Sequence, residues 1–187
     1  MKLLAITGVA GSGKTTLSNL LFNCGWTQTK FATPLKSMLS YLLRYQGIDT
    51  TTAHRMLEGD LKETPTLFLN NRTPRYVMQT LGTEWRDLID KNLWVDVWKR
   101  NIMNHPNYPD IKIVIDDTRF HHEINTIREM GGIIIRIERP NNPNQIASTH
   151  ISEIEMSVIV PDLTILNNST PEKMLDQLKT IIDYTGS

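Results

Sequence analysis

Apolar residues recur along this chain in two rhythms: short unbroken runs, and stretches spaced like one face of a helix. The runs are Lys2–Thr7 (KLLAIT), roughly 29–32, 111–116 (IKIVID), Ile133–Glu138 and Leu163–Leu166. The first, third and fourth are apolar almost throughout, the pattern of parallel strands covered on both faces. In the helical stretches, KTTLSNLLFNC places Leu17, Leu20, Leu21 and Cys24 on one stripe and stops at Gly25. PLKSMLSYLLRYQG spaces Leu35, Met38, Leu39 and Leu42 helically, with Pro34 suited to the first turn and Gly47 beyond the end. TPRYVMQTLG repeats the device, with Thr73 as N-cap, Pro74 opening and Gly82 closing, while NLWVDVWKRNI groups Trp94, Val97 and Trp98 as core. A last helix, capped by Thr170, turns Met174, Leu175, Leu178 and Ile182 inward. Strands alternating with helices predict an α/β fold with a parallel sheet. The long crossover between the second and third strands looks mostly helical, with a less patterned piece, KETPTLFLNN, in its middle. It reads as a helical acceptor-side or lid insertion at about 34–105, within a single domain spanning 1–187.

Composition narrows the class. A chain of 187 residues that is 40% hydrophobic can bury one full core. Its one cysteine, Cys24, cannot form an internal disulfide, which fits a reducing compartment. The apolar run at the N-terminus meets a glycine-rich loop too soon to be a signal-peptide core or a membrane span. The expectation is a cytoplasmic protein (host cytoplasm if viral) with no membrane partner. Net charge is zero, but residues 1–100 carry 13 Lys+Arg against 8 Asp+Glu, and residues 101–187 carry 7 against 12. Zero net charge gives no broad footprint for nucleic acid, whereas the basic first half leaves a local phosphate-binding surface open.

The chemistry starts at TGVAGSGKTT. Gly8-x-x-x-x-Gly13-Lys14-Thr15 is a complete P-loop, placed after an apolar strand and before an amphipathic helix. Glycines let backbone amides turn onto phosphate oxygens, and the helix start adds its positive dipole end. Gly8, Gly11, Ser12, Gly13, Lys14, Thr15 and Thr16 are therefore the expected nucleotide-binding residues, with Lys14 reaching the β- and γ-phosphates and Thr15 ligating Mg²⁺. The second element, IKIVIDDTRF, delivers Asp116 and Asp117 at the C-terminal end of a strand, where ligands bind in open α/β sheets. One of the two would hold magnesium, directly or through water, or orient the acceptor, and Arg119 could meet a phosphate. Further cations for an acceptor are Lys36 and Arg75, each just inside a helix start, followed by Arg86, Arg136 and Arg139. THISE (149–153) reads as a loop closing over nucleotide, since no nucleophile elbow accompanies its serine and histidine. No histidine or cysteine spacing suggests a structural metal.

In order along the chain, the P-loop, FATPLK, TPRYVMQTLGTEW, DDTRFHHEINTIREMGG, RP and THISE resemble the phage deoxynucleoside monophosphate kinases of the T4 type. The resemblance covers nearly the whole chain, and MQTLGT, DTR…HE and HISE are more specific than the P-loop. It implies a three-layer P-loop NTPase fold with a five-stranded parallel sheet of nucleotide-kinase type, and Mg-ATP as donor. Its Asp-x-Arg motif implies Asp117 as the functional acid. It further implies Arg119, Arg75 and Gln79 as site residues, and His150 with Glu153 as a loop beside the site. The chain reads GTEWRD where relatives often carry one residue more, which leaves the direction of Arg86 open.

The leading expectation is transfer of the γ-phosphate of ATP to a deoxynucleoside monophosphate, a reaction that needs alignment and charge neutralisation. Catalysis would then rest on Lys14, Asp117 and Arg119, and acceptor binding on Lys36, Arg75, Gln79, Arg86, His150 and Glu153. The resemblance also extends to phage kinases that phosphorylate the hydroxymethyl group of 5-hydroxymethyluracil within DNA. There the acceptor is an alcohol, Asp117 would act as general base, and the base must leave the stack. A P-loop switch that transfers nothing is the third reading. The partner is accordingly a small nucleotide, or DNA carrying a hydroxymethylated base, with a homodimer left open.

Overall fold

A parallel sheet forms where the near-continuous apolar runs lie, because strands buried on both faces have no polar side to show water. The computed structural model describes residues 1–140 and 159–184. The chain forms two compact units, Met1–Lys30 with Asn101–Ser187, and Phe31–Arg100.

In the first unit, β1 (Lys2–Thr7), β2 (Thr27–Thr29), β3 (Lys112–Ile115), β4 (Ile133–Glu138) and β5 (Leu163–Leu166) make a five-stranded sheet in the order β2-β3-β1-β4-β5. Every neighbouring pair is parallel. The helices α1 (Lys14–Asn23), α7 (His121–Glu129) and α8 (Pro171–Tyr184) connect or follow these strands. One buried cluster joins Leu4 and Ile6 of β1, Leu17 and Leu21 of α1, Val114, Ile135, Ile137 and Ile165 of the sheet, and Met174 and Leu178 of α8. Each such side chain contributes about 1.5–3 kcal/mol relative to exposure, which makes the strand ends a firm platform.

The second strand is Thr27–Thr29, earlier and shorter than the expected 29–32. Phe31 accounts for the difference. Its buried ring packs edge-on against Trp98, with centroids 5.1 Å apart, in the core of the other unit. Likewise β3 stops at Ile115, so Asp116 and Asp117 stand just beyond the strand rather than in it.

The second unit is helical: α2 (Thr33–Tyr45), α3 (Thr50–Glu58), α4 (Pro74–Gly82) and α5 (Glu84–Ile89), with α6 (Leu93–Met103) carrying the chain out of it. The less patterned stretch holds two 3₁₀ turns, Asp60–Glu63 and Leu67–Leu69, and a bridge between Thr66 and Arg72. Thr73 caps α4 by accepting the Tyr76 N–H at 3.1 Å, as its position before Pro74 predicts. Asp49 does the same for α3, accepting the Thr52 N–H at 2.9 Å. Leu39, Leu43, Ala53, Met56, Leu57 and Leu69 form this unit's core, with Leu61, Val77, Met78 and Leu81 against it. Among the described residues no helix is long and apolar enough to cross a membrane.

Candidate active site

The site grows from the ends of β1 and β3. Their register pairs Ala5 with Ile115, so β1 runs on towards the P-loop beside the point where β3 ends and the Asp116–Asp117 segment begins. The two motifs lie 110 residues apart in sequence, yet adjacent strands bring them together at the C-terminal edge of the sheet. That edge is where open parallel sheets bind ligands.

The loop itself is built around glycine. Gly8, Gly11 and Gly13 have φ of 143°, 75° and 109°, a region that L side chains rarely adopt. A Cβ on Gly8 would lie 2.6 Å from the Ile137 carbonyl oxygen and 2.8 Å from Ser12 Oγ. The Gly8→Ala variant is therefore expected to lose about 1–3 kcal/mol of stability and its nucleotide affinity together. Urea melts with and without ATP check this, and an unchanged ATP-induced stabilisation would contradict it.

Gly13 N-caps α1 in the left-handed region, with no side chain capping the first-turn amides. Those donors are the ones a phosphate would satisfy. Lys14 Nζ donates to the carbonyl oxygens of Gly8 at 2.6 Å and Val9 at 3.0 Å, so the ammonium is folded over the loop. Thr15 and Thr16 are exposed on the first turn of α1. Arg139 donates to the Gly11 carbonyl at 3.3 Å, and Arg136 donates to the Ile159 carbonyl.

Two residues outside the sequence-based expectations hold this geometry. Asn167, directly after β5, donates its side-chain amide to the Ser12 carbonyl at 2.8 Å, and its backbone N–H to Glu138 O at 2.8 Å. Lys30, after β2, pairs with Asp116 at 3.6 Å. Each follows a strand at the sheet's C-terminal edge, which is the only signal the sequence offers for either.

The two neighbouring acids have different environments. Asp116 is buried and paired with Lys30, whereas Asp117 and Arg119 are half-buried. Glu123 lies beneath them, in the first turn of α7. It accepts the backbone N–H of Arg119 at 2.6 Å and of Phe120 at 2.9 Å, both on Oε2. Burial, then the negative charge of Asp117, push its carboxyl up to about 8, against the lowering effect of those amides. The native state thus binds a proton that the unfolded chain releases above its ordinary value of 4.5, and stability falls as pH rises from there to about 8. Glu123→Gln keeps an acceptor and removes the titration. Its melting temperature relative to the parent should rise across that window by several degrees; a flat difference would contradict the assignment.

Fitness for Mg-ATP can be judged on the site itself. The hydroxyls of Thr7, Ser12 and Thr118 are buried without a partner among the described residues. Thr7 precedes the glycine loop and Ser12 lies in it, and buried polar groups left unmet there suit a ligand or ordered water. Thr15 and Asp117 supply the oxygen donors that magnesium prefers. Among the described residues no group of three or more His, Cys, Asp or Glu could hold a metal, so an ion here would take its other ligands from phosphate and water.

The expected acceptor residues belong to the helical unit. Lys36, in the first turn of α2, pairs with Glu58 at 2.7 Å, and Arg75, in the first turn of α4, pairs with Glu63. Gln79 is half-buried on α4, and its carbonyl accepts the Thr83 hydroxyl at 2.7 Å. Arg86 is buried, and its Nε and Nη2 both meet Asp87 Oδ1, at 2.9 and 2.7 Å. His150 and Glu153 lie outside the described residues.

The sequence model of a family described as "Deoxynucleotide monophosphate kinase" matches residues 60–179. A protein of Acanthamoeba polyphaga mimivirus, named for deoxynucleotide monophosphate kinase, is 34% identical over 198 residues, covering 98% of this chain and 97% of its own. The deoxynucleotide monophosphate kinase of Enterobacteria phage T4 is 26% identical over 243 positions, covering 97% of this chain and 99% of its own. Among solved structures, the dephospho-CoA kinase of Campylobacter jejuni aligns over 98% of this chain and 96% of its own, with a TM-score of 0.49 and 12% identity.

Proposed function

This chain belongs to the deoxynucleotide monophosphate kinase family, and we propose that it transfers the γ-phosphate of ATP to the 5′-phosphate of a deoxynucleoside monophosphate, giving the diphosphate and ADP. The observation that carries this reading is the glycine-built phosphate loop that β1 delivers at the same end of the sheet as the acid-bearing segment after β3. The acceptor's phosphate oxygen is already ionised at neutral pH, so no proton need be removed from the nucleophile. The protein's task is to align the two phosphates and offset their charge.

Each residue then has a part. The Lys14 ammonium exchanges the Gly8 and Val9 carbonyls for β- and γ-phosphate oxygens, while amides of the loop and of the α1 start bind the same groups. Thr15 and Asp117 would hold magnesium, which would supply positive charge to offset that of the phosphates. Arg119 would offset charge on the transferred group, its backbone pinned by Glu123. Lys36, Arg75 and Gln79 would serve the acceptor. No observation favours a base hydroxyl in DNA as acceptor over a free nucleotide.

The test is direct. Purified protein, Mg²⁺ and γ-labelled ATP are incubated with each of the four common deoxynucleoside monophosphates and their products separated. Labelled diphosphate from at least one is expected. Release of inorganic phosphate alone would overturn the proposal.

A further inference from the structure

The apolar core of the helical unit gathers charges that stand far apart in sequence. Leu39 of α2, Leu57 of α3, Leu61 of the 3₁₀ turn and Val77 of α4 pack into one cluster. Their polar neighbours Lys36, Glu58, Lys62, Glu63 and Arg75 gather with them: Lys36 pairs with Glu58, Arg75 pairs with Glu63, and Lys62 is within electrostatic reach of all four. Three cations thus face two carboxylates.

Lys62 is the odd member. Among the described residues no carboxylate comes within ion-pair distance of it, and its side chain is half-buried. Burial first, then the positive charges of Lys36 and Arg75, hold its ammonium below the ordinary lysine range, while Glu58 and Glu63 act the other way. A half-buried ammonium among like charges adds little to stability. What such an arrangement suits is an incoming anion of more than one charge, which all three cations can share.

We propose that Lys62, together with Lys36 and Arg75, binds the phosphate of the acceptor nucleotide, and that Glu58 and Glu63 hold Lys36 and Arg75 in place until that phosphate displaces them. This rests on the kinase reading above and adds to it the residue that recognises the acceptor's charge. Lys62 positions and binds; it has no part in the donor site. The two glutamates serve as exchangeable counter-charges, keeping long flexible side chains ordered before binding, which lowers the entropy lost when phosphate arrives.

The experiment compares the parent with Lys62→Met, which keeps length and apolar stem, and with Lys62→Arg. Initial rates are measured with the deoxynucleoside monophosphate that the parent phosphorylates best. Lys62→Met should raise KM for that acceptor about tenfold or more, with kcat and KM for ATP within about twofold, as a loss of uniform binding requires. Lys62→Arg should restore most of the affinity. An unchanged acceptor KM, or equal loss for acceptor and ATP, would overturn the assignment. If the parent phosphorylates no nucleotide, the kinase reading itself has failed. Inorganic phosphate then decides on the cluster alone: in a Lys14→Ala background, phosphate should raise the melting temperature, and Lys62→Met should abolish that rise. No difference between the two would dismiss the phosphate site.

Discussion

Replacing Lys14 with alanine is expected to reduce diphosphate formation by about a thousandfold or more, the scale seen when a charge-stabilising donor is removed from a transition state. The chain should still fold. The side chain donates to loop carbonyls of Gly8 and Val9 that water can reach once the lysine is gone, and the strand and helix on either side are held by their own core. Melting temperature should therefore move little while turnover collapses. Lys14→Arg should not rescue activity, because a planar fork cannot occupy the point position of an ammonium inside so tight a loop. Turnover within tenfold of the parent in Lys14→Ala would mean that the donor phosphates lie elsewhere.

The second large effect concerns Asp117. Asp117→Asn preserves shape and removes one negative charge beside the P-loop, so a loss of about 10- to 100-fold is expected if the carboxylate acts on magnesium through water, and more if it ligates directly. Part of that loss should be recovered by raising the magnesium concentration, which identifies the charge as a metal contact. A separate readout needs no turnover. The Asp117 charge is one of the two causes that push the Glu123 carboxyl up, so its removal should let Glu123 titrate lower. Carboxyl NMR shifts would follow this, and an unmoved Glu123 would show that the two groups do not interact. Asp116→Asn should differ in kind. Asp116 is buried against Lys30, and its loss leaves an uncompensated ammonium, so stability should suffer more than turnover.

These contrasts reflect how much the residue pattern reveals. The P-loop was legible because its requirements are local: glycine where φ is positive, a lysine and a hydroxyl at fixed offsets, an apolar strand before and an amphipathic helix after. Four of the five strands appeared near their expected positions, since a strand covered on both faces leaves an unbroken apolar run. The second did not, because Phe31 reads as strand but belongs to the helical unit's core beside Trp98. Helix α3 was overlooked for a related reason. Its start, TTTAH, is poor in apolar residues, and its stability comes from the Asp49 cap and from Ala53, Met56 and Leu57 packing on α2.

Spacing could not choose between Asp116 and Asp117. Adjacent residues after a strand meet different surroundings, and the fold buries Asp116 against Lys30 while leaving Asp117 half-buried. Nor could it find Asn167, Lys30 or Lys62, whose roles come from neighbours distant in sequence. Arg86 shows the same limit: the sequence marks it only as a cation, and its burial beside Asp87 comes from the fold.

The sequence by itself therefore determined the phosphate-binding loop and the class of fold, which depend on short local motifs and on periodicity along single elements, and the family, which depends on the order of several motifs along the chain. Tertiary structure alone decided which of the two acids is buried against Lys30, what pins the Arg119 backbone, and which cations of the helical unit share one charge cluster. Register and packing make those choices. They join residues through space, at energies set by burial and by the charges nearby, and neither quantity exists until the chain has folded.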